Sequence, residues 1–400
     1  MNDKRNRPKI ARPRVAVAGG GGAYGNTAAA LSALDLSAVR GRRVLVKPNV
    51  GRMTGPNSGV NCSPDSVAAC LDVLREAGAA SIAVGESPIL GVDVLAAFEA
   101  CGVAEPVRAR GLDLLDLDAA PPIVLPLPTG SLLPELKVCG RVREFDLILS
   151  LAVMKTHMHT GVTLGLKNCK GMLYKRQKVA LHQIAHGGDP ARGVTPLDAA
   201  IADMLTVLRP DIAVLDGWVG MEGLGPSAGD ARPADIAAAS FDPVAADATG
   251  CRLMGLDPMD VAHLRLAAEK GLGVADADRI ETVPADISPF LRPFRRPPAE
   301  LALAFPDVAV YESGACSACL STAMLFLQRF RESIREYRLE DGKLHIALGK
   351  DVKDVPEGTI VIGNCAARHK GRGAFAVGCP PVASAIYRAV TGREVDGSTE

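Results

Sequence analysis

The chain has 400 residues, of which 48% are hydrophobic and 4% aromatic, and its 45 Lys and Arg balance 45 Asp and Glu. This balance argues against a general nucleic-acid binder and against a protein held on anionic membrane surfaces. The longest apolar run, residues 145–154, is too short to span a bilayer, and no secretion signal is recognisable, so we expect a cytoplasmic protein with reduced cysteines.

Short β-rich runs alternate with Ala- and Leu-rich stretches over most of the chain, which predicts an α/β domain around a mainly parallel sheet. The predicted strands cover residues 14–19, 42–49, 81–87, 145–154 and 211–217. The predicted helices cover residues 26–35 and 63–78, and Ser63 and Pro64 suit the start of the second. A Pro-rich stretch at residues 121–140 predicts a small hairpin insertion.

A run of prolines and arginines at residues 288–300 interrupts this pattern and predicts a domain boundary. The sequence beyond it predicts a helix, two strands and a last helix, at about 317–335, 343–349, 358–364 and 380–390. We therefore expect a large α/β domain at residues 1–290 and a smaller, cysteine-bearing α/β domain at residues 300–400.

The glycine run "GGGGAYG" at residues 19–25 lies between a predicted strand and a helix and matches the G-x-G-x-x-G pattern of dinucleotide-binding folds. That pattern needs an acidic residue at the end of the next strand to hold a ribose hydroxyl. Because the next strand ends with Lys47 and Asn49 instead, the sequence disfavours a nicotinamide cofactor. The run could still approach another anionic ligand.

Four cysteines in the last quarter of the chain lie in loops rich in Gly, Ser or Pro: Cys316, Cys319, Cys365 and Cys379. Four thiolates suit either a [4Fe–4S] cluster or tetrahedral zinc. The wide spacing of the second pair departs from the paired C-x-x-C knuckles of structural zinc, and the Cys-Pro step at Cys379 is frequent at cluster sites. The sequence therefore favours the cluster, with zinc or uncoordinated thiols as alternatives.

Polar side chains follow the most apolar predicted strand, in the segment "MKTHMHTGVTLGLKNCKGML" at residues 154–173. Substrates usually bind past the carboxyl ends of central strands in this architecture. The segment has three lysines and two histidines but no carboxylate, which predicts a site for a small anion. Its candidate residues are Lys155, His157, Lys167 and Asn168, joined by Lys47 and Asn49 from another strand end.

An acid from a later segment would complete an acid–base set with these residues. The predicted glycine-rich loop at residues 215–230 supplies Asp216 as a catalytic candidate, beside Lys155, His157 and Lys167, and Glu222 as a substrate-binding candidate. Asp242 either joins this set or caps a helix. A solvated basic loop without a function is the alternative interpretation of the whole set.

Several motifs occur in an order that resembles the family called domain of unknown function 362: "VLVKPNVG", "VGESP", "MKTHMHTGVTLGLKNCKGML", "DGWVGMEGLGP" and "FDPVAADATGCRLMG". The resemblance covers about residues 14–280. It implies a common site lined by the lysine, histidine and asparagine candidates, and an association with iron–sulfur proteins. This chain differs from members with a ferredoxin-like domain, because its cysteines lie in another kind of C-terminal unit. The family implies no reaction.

The leading hypothesis is an iron–sulfur oxidoreductase or electron-transfer protein that acts on a small anionic molecule. One alternative is a lyase or isomerase, similar to a dehydratase or a racemase, acting on an anionic hydroxy acid. A second alternative is a non-catalytic metal-binding scaffold. The partners expected are the small anion, a redox protein such as ferredoxin and a second copy in a homodimer, but neither nucleic acid nor a membrane.

Overall fold

The structure, a computed structural model, describes residues 11–298 and 304–395, which divide into two units. The first unit comprises Met1–Glu222 and Gly229–Arg295, and the second comprises Gly223–Ala228 and Arg296–Glu400, as far as these residues are described. Residue 300, the predicted start of the small domain, lies outside the described residues. None of the helices in the described ranges has the length and hydrophobicity needed to cross a membrane.

A nine-stranded sheet with helices on both faces forms the first unit. The strands up to residue 283 are β1 (Arg14–Gly19), β2 (Arg43–Pro48), β3 (Ser81–Glu86), β4 (Asp113–Asp116), β5 (Ile123–Pro126), β6 (Glu135–Val138), β7 (Leu147–His157), β8 (Gly161–Thr163), β9 (Ile212–Glu222), β10 (Asp230–Ser240) and β11 (Glu281–Val283). The order in the large sheet is β11-β1-β10-β9-β7-β2-β3-β4, with β8 paired to β7. Most of its pairs are parallel, which confirms the predicted fold class.

The helices of the first unit connect and cover these strands. They are α1 (Gly22–Ser32), α2 (Pro64–Glu76), α3 (Val94–Ala100), α4 (Ala104–Ala109), α5 (Gly165–Asn168), α6 (Gln177–Ala180), α7 (Pro196–Leu205), α8 (Pro243–Leu253) and α9 (Ala262–Glu269). Helix α2 begins after Ser63, as predicted, although the Ser63 hydroxyl makes no capping hydrogen bond. Asp242 caps α8 by accepting from the Val244 and Ala245 amides, as the capping alternative predicted.

Strand β7 is buried on both faces of the sheet, which explains its continuous apolar run. Leu149, Leu151 and Val153 belong to one apolar core and Ile148 and Met154 to the other. Such alternation across the sheet is what a strand covered by two layers requires. The predicted hairpin insertion is also present, as the antiparallel pair β5–β6.

Strands β7 and β9 extend three and five residues beyond their predicted ends, so that Lys155, His157 and Glu222 are strand residues and not loop residues. The first half of the stretch predicted as a glycine-rich loop continues β9 to Glu222, and residues 223–229 form the turn to β10, a strand that the sequence analysis did not predict. Gly220 permits this packing, because a Cβ there would lie 2.5 Å from the Met154 carbonyl oxygen. Glycine in this segment therefore indicates close strand packing.

The second unit is a small parallel sheet with two long helices. Its strands β12 (Val308–Glu312), β13 (Leu344–Leu348), β14 (Ile360–Ile362) and β15 (Phe375–Ala376) pair in that order. Its helices are α10 (Ser317–Phe330) and α11 (Ala383–Thr391). The predicted helix at 317–335 is therefore shorter, because residues 331–337 tighten into a 3₁₀ segment.

Candidate active site

A buried ion pair joins the ends of the central strands of the first unit. The Lys47 Nζ of β2 lies 2.7 Å from Glu86 Oε2 at the end of β3 and 2.6 Å from Asn168 Oδ1 in α5. It also donates to the Pro48 carbonyl at 3.2 Å, and Asn168 Nδ2 donates to Ser150 Oγ of β7 at 2.9 Å. We call Lys47, Glu86 and Asn168 the strand-end clamp. All ammonium protons of Lys47 are donated to these acceptors, so none remains for a substrate. The clamp therefore holds strands together in the region where substrate binding was predicted.

Glu86 is the clamp residue that the sequence analysis missed. Its carboxylate also accepts from the amides of Val50 and Ser87, at 3.1 and 2.8 Å. Burial raises the pKa of Glu86, and the Lys47 ammonium opposes this shift. A Cβ at Gly171 would lie 2.5 Å from Lys47 Nζ, so the clamp needs glycine there. The sequence signal that could have identified Glu86 is its position, as an acid at the end of a strand next to that of Lys47.

Lys155 and His157 lie two residues apart in β7 and therefore on the same face of the strand. Lys155 is only 3% exposed, and its Nζ donates to the Val60 carbonyl in the loop before α2. Burial lowers the pKa of Lys155 to about 7, since an ammonium loses its hydration there. A lysine with this pKa is present as both amine and ammonium at neutral pH, as a proton-transfer group requires.

His157 lies among the basic side chains that follow β7. Burial lowers the pKa of His157, and the charges of Lys167, His159, His182 and Lys170 lower it further. Its Nδ1 accepts from the His159 amide at 3.0 Å, so the neutral ring carries its proton on Nε2. His157 can therefore donate a hydrogen bond through Nε2 while it remains uncharged.

Lys167 and Lys170 follow on α5 and the turn after it. Burial lowers the pKa of Lys170 to about 7 and lowers that of Lys167 well below its usual value, and Lys170 in turn lowers it further. The Lys170 Nζ contacts His182 Nε2. We call this group the lysine–histidine cluster: Lys155, His157, Lys167, Lys170 and His182. Over the described ranges, none of its three lysines forms an ion pair with a carboxylate.

Asp216, the predicted catalytic acid, is buried at β9 and anchors the loop before α2. Its Oδ2 accepts from the Ser63 amide at 2.7 Å and its Oδ1 accepts from the Trp218 amide at 3.1 Å. Burial raises the pKa of Asp216, while these amides and the Lys155 charge favour the carboxylate. Cys62 beside it is buried and donates to the Leu151 carbonyl at 3.2 Å, so its thiol is structural. Asp216 thus positions the wall of the Lys155 site.

Asn49 has a side-chain oxygen without a partner. Its backbone amide donates to Cys62 Sγ at 3.2 Å, but Asn49 Oδ1 is buried and accepts no hydrogen bond from any described residue. A buried acceptor without a donor is costly. Of the residues predicted to bind substrate, Asn49 is therefore the one whose side chain retains unused hydrogen-bonding capacity at the strand ends.

Glu222 lies at the far end of β9, where it serves local structure. Its Oε2 accepts from the Arg295 amide at 3.0 Å and lies 3.8 Å from Arg232 Nε. Its partners are therefore these arginines, and no contact within the described residues brings it to the lysine–histidine cluster.

The glycine run at the start of α1 binds a carboxylate of the chain itself. Asp235 Oδ1 accepts from the Gly22 amide at 3.1 Å and from Asn26 Nδ2 at 2.7 Å, and the Gly21 amide donates to Asn26 Oδ1. The helix N-terminus that would bind a phosphate in a dinucleotide fold thus has its own anion.

Asp247 of α8 fixes the helix that carries Lys167. Its two oxygens accept from the Gly165 and Leu166 amides at 2.8 and 2.9 Å, which are the first residues of α5. Burial raises the pKa of Asp247 to about 7, and the two amides oppose the shift. A helix of one turn has little stability of its own, so this contact determines where Lys167 and Asn168 lie.

The four cysteines of the second unit come from three segments that converge, and not all of them lie in loops as predicted: Cys319 is in the first turn of α10 and Cys365 is in a 3₁₀ segment. Cys316 is the N-cap residue of α10. Cys319 packs against Gly363, because a Cβ added to that glycine would lie 3.2 Å from the Cys319 Sγ. Reciprocal hydrogen bonds of 2.9 Å join Asn364, beside Cys365, to Gly378, beside Cys379.

The four thiols interact electrostatically. A hydrogen bond from Cys319 lowers the pKa of Cys316 to about 6, and the charges of Cys316, Cys365 and Cys379 all act on Cys319. No three His, Cys, Asp or Glu side chains of the described residues are arranged to hold a single metal ion.

Comparison with known proteins identifies the family. A family model described as domain of unknown function (DUF362) matches residues 44–252, just over half of the chain. The chain belongs to the DUF362 family. A thylakoid-associated protein of Synechocystis sp. is 30% identical to it over 242 residues, which are 58% of this chain and 69% of that protein. The resemblance seen in the sequence motifs is thereby confirmed.

A solved structure, the lactate racemase apoprotein from Thermoanaerobacterium thermosaccharolyticum, is also similar. The match covers 65% of this chain and 59% of the racemase chain, with a TM-score of 0.41 and 13% sequence identity. This chain therefore spans about three fifths of the racemase.

The DUF362 match separates the two groups of candidate residues. It includes the strand-end clamp, the lysine–histidine cluster and Asp247, and it ends before Arg296, where the cysteine-bearing part of the second unit begins. The four cysteines consequently lie outside the region that defines the family, and their role rests on the residues of this chain.

The strand-end clamp predicts a strong energetic coupling. Lys47→Met or Glu86→Gln alone should lower the free energy of unfolding by about 3–5 kcal/mol, because each leaves a buried group without its partner. The double variant should lose clearly less than the sum of the two losses. Urea unfolding followed by the fluorescence of Trp218, the only tryptophan, measures all three. Arg43→Met, which breaks the exposed Arg43–Asp146 pair, is the control and should cost about 1 kcal/mol or less. Additive losses would contradict the clamp.

Proposed function

We propose that the first unit is an acid–base enzyme, an isomerase or a lyase, that acts on a small anionic 2-hydroxy acid. The observation that carries this proposal is the lysine–histidine cluster, in which three lysines share a buried region and none forms an ion pair with a carboxylate of the described residues. Burying cations without counter-charges is costly. A site with such lysines is suited to a ligand of opposite charge, and a small carboxylate supplies that negative charge.

The individual residues suit a proton transfer. Lys155 has a pKa near 7 and so can take a proton from a carbon or oxygen atom of the substrate. The His157 Nε2–H can donate to a substrate oxygen as an uncharged group. Lys167 and Lys170, once protonated by the approach of the anion, would stabilise the charge that develops on the substrate carboxylate. Asp216 and Asp247 hold the loop and the helix that position these groups.

The hydroxy-acid class rests on Asn49. Its Oδ1 needs a hydrogen-bond donor, which a simple carboxylate lacks and a substrate hydroxyl provides. A ligand that combines a carboxylate with a neighbouring hydroxyl therefore satisfies both the cations and the unpaired acceptor.

Proton transfer to and from the substrate carbon is directly measurable. The protein, purified without oxygen, should exchange the Cα hydrogen of at least one acid in a panel of 2-hydroxy acids in D₂O, seen as loss of that signal by NMR. A lyase would also give vinyl signals. Lys155→Met should lower the rate by about 10²–10⁴-fold. Lys137→Met removes an exposed lysine of β6 and should leave it unchanged. Absence of exchange and elimination across the panel would refute the proposal.

The low pKa of Lys155 predicts a specific pH dependence of stability. Between about pH 7 and the usual lysine value of 10.5, the unfolded chain binds a proton at Lys155 that the native protein does not. This penalty is full below pH 7 and declines as the pH rises, so stability should increase by about 1.4 kcal/mol per pH unit through this group.

The variant Lys155→Met should lack this slope. From pH 7 to pH 9, the free energy of unfolding of the wild type should therefore rise by about 2 kcal/mol relative to that of the variant. Urea unfolding followed by Trp218 fluorescence at both values checks this, with Lys137→Met expected to follow the wild type. An equal difference at both pH values would contradict the assignment.

A second function, electron transfer through a [4Fe–4S] cluster, is favoured by the four converging cysteines of the second unit. The thiols act on one another electrostatically, yet no three are arranged for a single ion. A four-iron cluster binds each thiolate to a different iron and so spreads its ligands more widely than zinc does. Cys316, Cys319, Cys365 and Cys379 would hold it, and it would supply one-electron chemistry. A redox protein such as ferredoxin is the partner this function requires, and a homodimer and a cytoplasmic location stay predictions.

Metal analysis tests this second function. Anaerobically purified protein should contain about equal iron and acid-labile sulfide, and each of Cys316→Ser, Cys319→Ser, Cys365→Ser and Cys379→Ser should lose most of both. The control Cys101→Ser changes a buried cysteine of the first unit and should retain them. Zinc without sulfide would make the group a structural zinc site, and neither metal would refute the cluster.

A further inference from the structure

We propose that the Thr163 hydroxyl binds the substrate beside Lys155; this inference rests on the proposed function of the first unit. Thr163 is the last residue of β8, the short strand that pairs antiparallel with the end of β7. It lies within the segment 154–173 but was not among the candidates there, because a threonine in a β-strand ordinarily reflects only strand propensity.

The register of the two strands places Thr163 at the site. Thr163 lies directly opposite Lys155 in the ladder. Directly opposed residues of an antiparallel pair project from the same face of the sheet, with Cβ atoms about 5 Å apart. Since Lys155 and His157 also share that face, the ribbon presents an amine, an imidazole and a hydroxyl together. A single carboxylate could accept hydrogen bonds from both Lys155 and Thr163.

The hydroxyl is buried and lacks a partner. Thr163 is 7% exposed, and its Oγ1 makes no hydrogen bond to any described residue. Valine has the same shape, suits a strand at least as well and would avoid the cost of an unsatisfied hydroxyl. The polar atom therefore disfavours the unliganded fold, and a ligand at Lys155 accounts for it.

The same argument separates Thr163 from Thr27. The Thr27 Oγ1 in α1 is also buried without a partner, but Thr27 belongs to a helix and not to the β7–β8 ribbon. Thr27→Val is therefore a matched control, which removes an equivalent hydroxyl from outside the site. Thr163→Ser is the complementary variant, because it keeps a hydroxyl at the site.

The experiment compares Thr163→Val, Thr163→Ser and Thr27→Val with the wild type. Without ligand, both valine variants should melt about 2 °C higher than the wild type. Added 2-hydroxy acids from the panel above should raise the melting temperature of the wild type, and equally those of Thr163→Ser and Thr27→Val. Thr163→Val should require at least about tenfold more acid for the same shift and should show a KM raised by a similar factor.

The possible outcomes distinguish this inference from the proposed function. An equal response of Thr163→Val and wild type to the acids would overturn the role of Thr163 and leave the acid–base enzyme intact. A lower melting temperature of unliganded Thr163→Val would also overturn it, because the hydroxyl would then already be satisfied, by water. If no acid stabilises the wild type, the proposed substrate class fails and the assignment of Thr163 fails with it.

Discussion

The first unit depends on the buried pair of Lys47 and Glu86. Their side chains lie 2.7 Å apart at the ends of β2 and β3, and Asn168 links them to α5 and, through Ser150, to β7. Burying two charges costs several kcal/mol per ion unless each is fully hydrogen-bonded. Here the Lys47 ammonium has three acceptors and the Glu86 carboxylate also accepts two backbone amides. The pair therefore fixes where each strand stops, and with it where the following loops begin.

This clamp gives the neighbouring lysines a different character. Lys47 remains paired, whereas Lys155 and Lys170 have pKa values lowered to about 7 by burial. These lysines are all buried and lie near the same strand ends, so they differ in their charged partners and not in how deeply they are buried. Lys47 has a carboxylate partner in Glu86, whereas no described carboxylate forms an ion pair with Lys155 or Lys170. That distribution separates a lysine that maintains the fold from the lysines that we propose bind a ligand.

The sequence predicted most of the elements and drew the candidate residues together, but it did not show which of them pair with each other. Apolar runs and capping residues located β1, β2, β3 and α2 closely, because these signals are local. The ends of β7 and β9 were predicted too early, since polar Lys155 and Asp216 end an apolar run without ending a strand. Strand β10 was missed because its alanine-rich sequence has little strand propensity, although it pairs with the preceding strand β9 as well as with β1.

The pairing of side chains was equally beyond the sequence. Lys47 and Asn168 were predicted to bind substrate from their place near strand ends, and the structure brings them together there in a pair with Glu86. Their actual partner, Glu86, is 39 residues from Lys47 along the chain and could be found only once β2 and β3 were known to be adjacent. The converse holds for Thr163, whose opposition to Lys155 depends on a strand of three residues. Where polar groups gather at strand ends, the sequence supplies the candidate groups, and the register decides which of them neutralise each other and which remain without a charged partner.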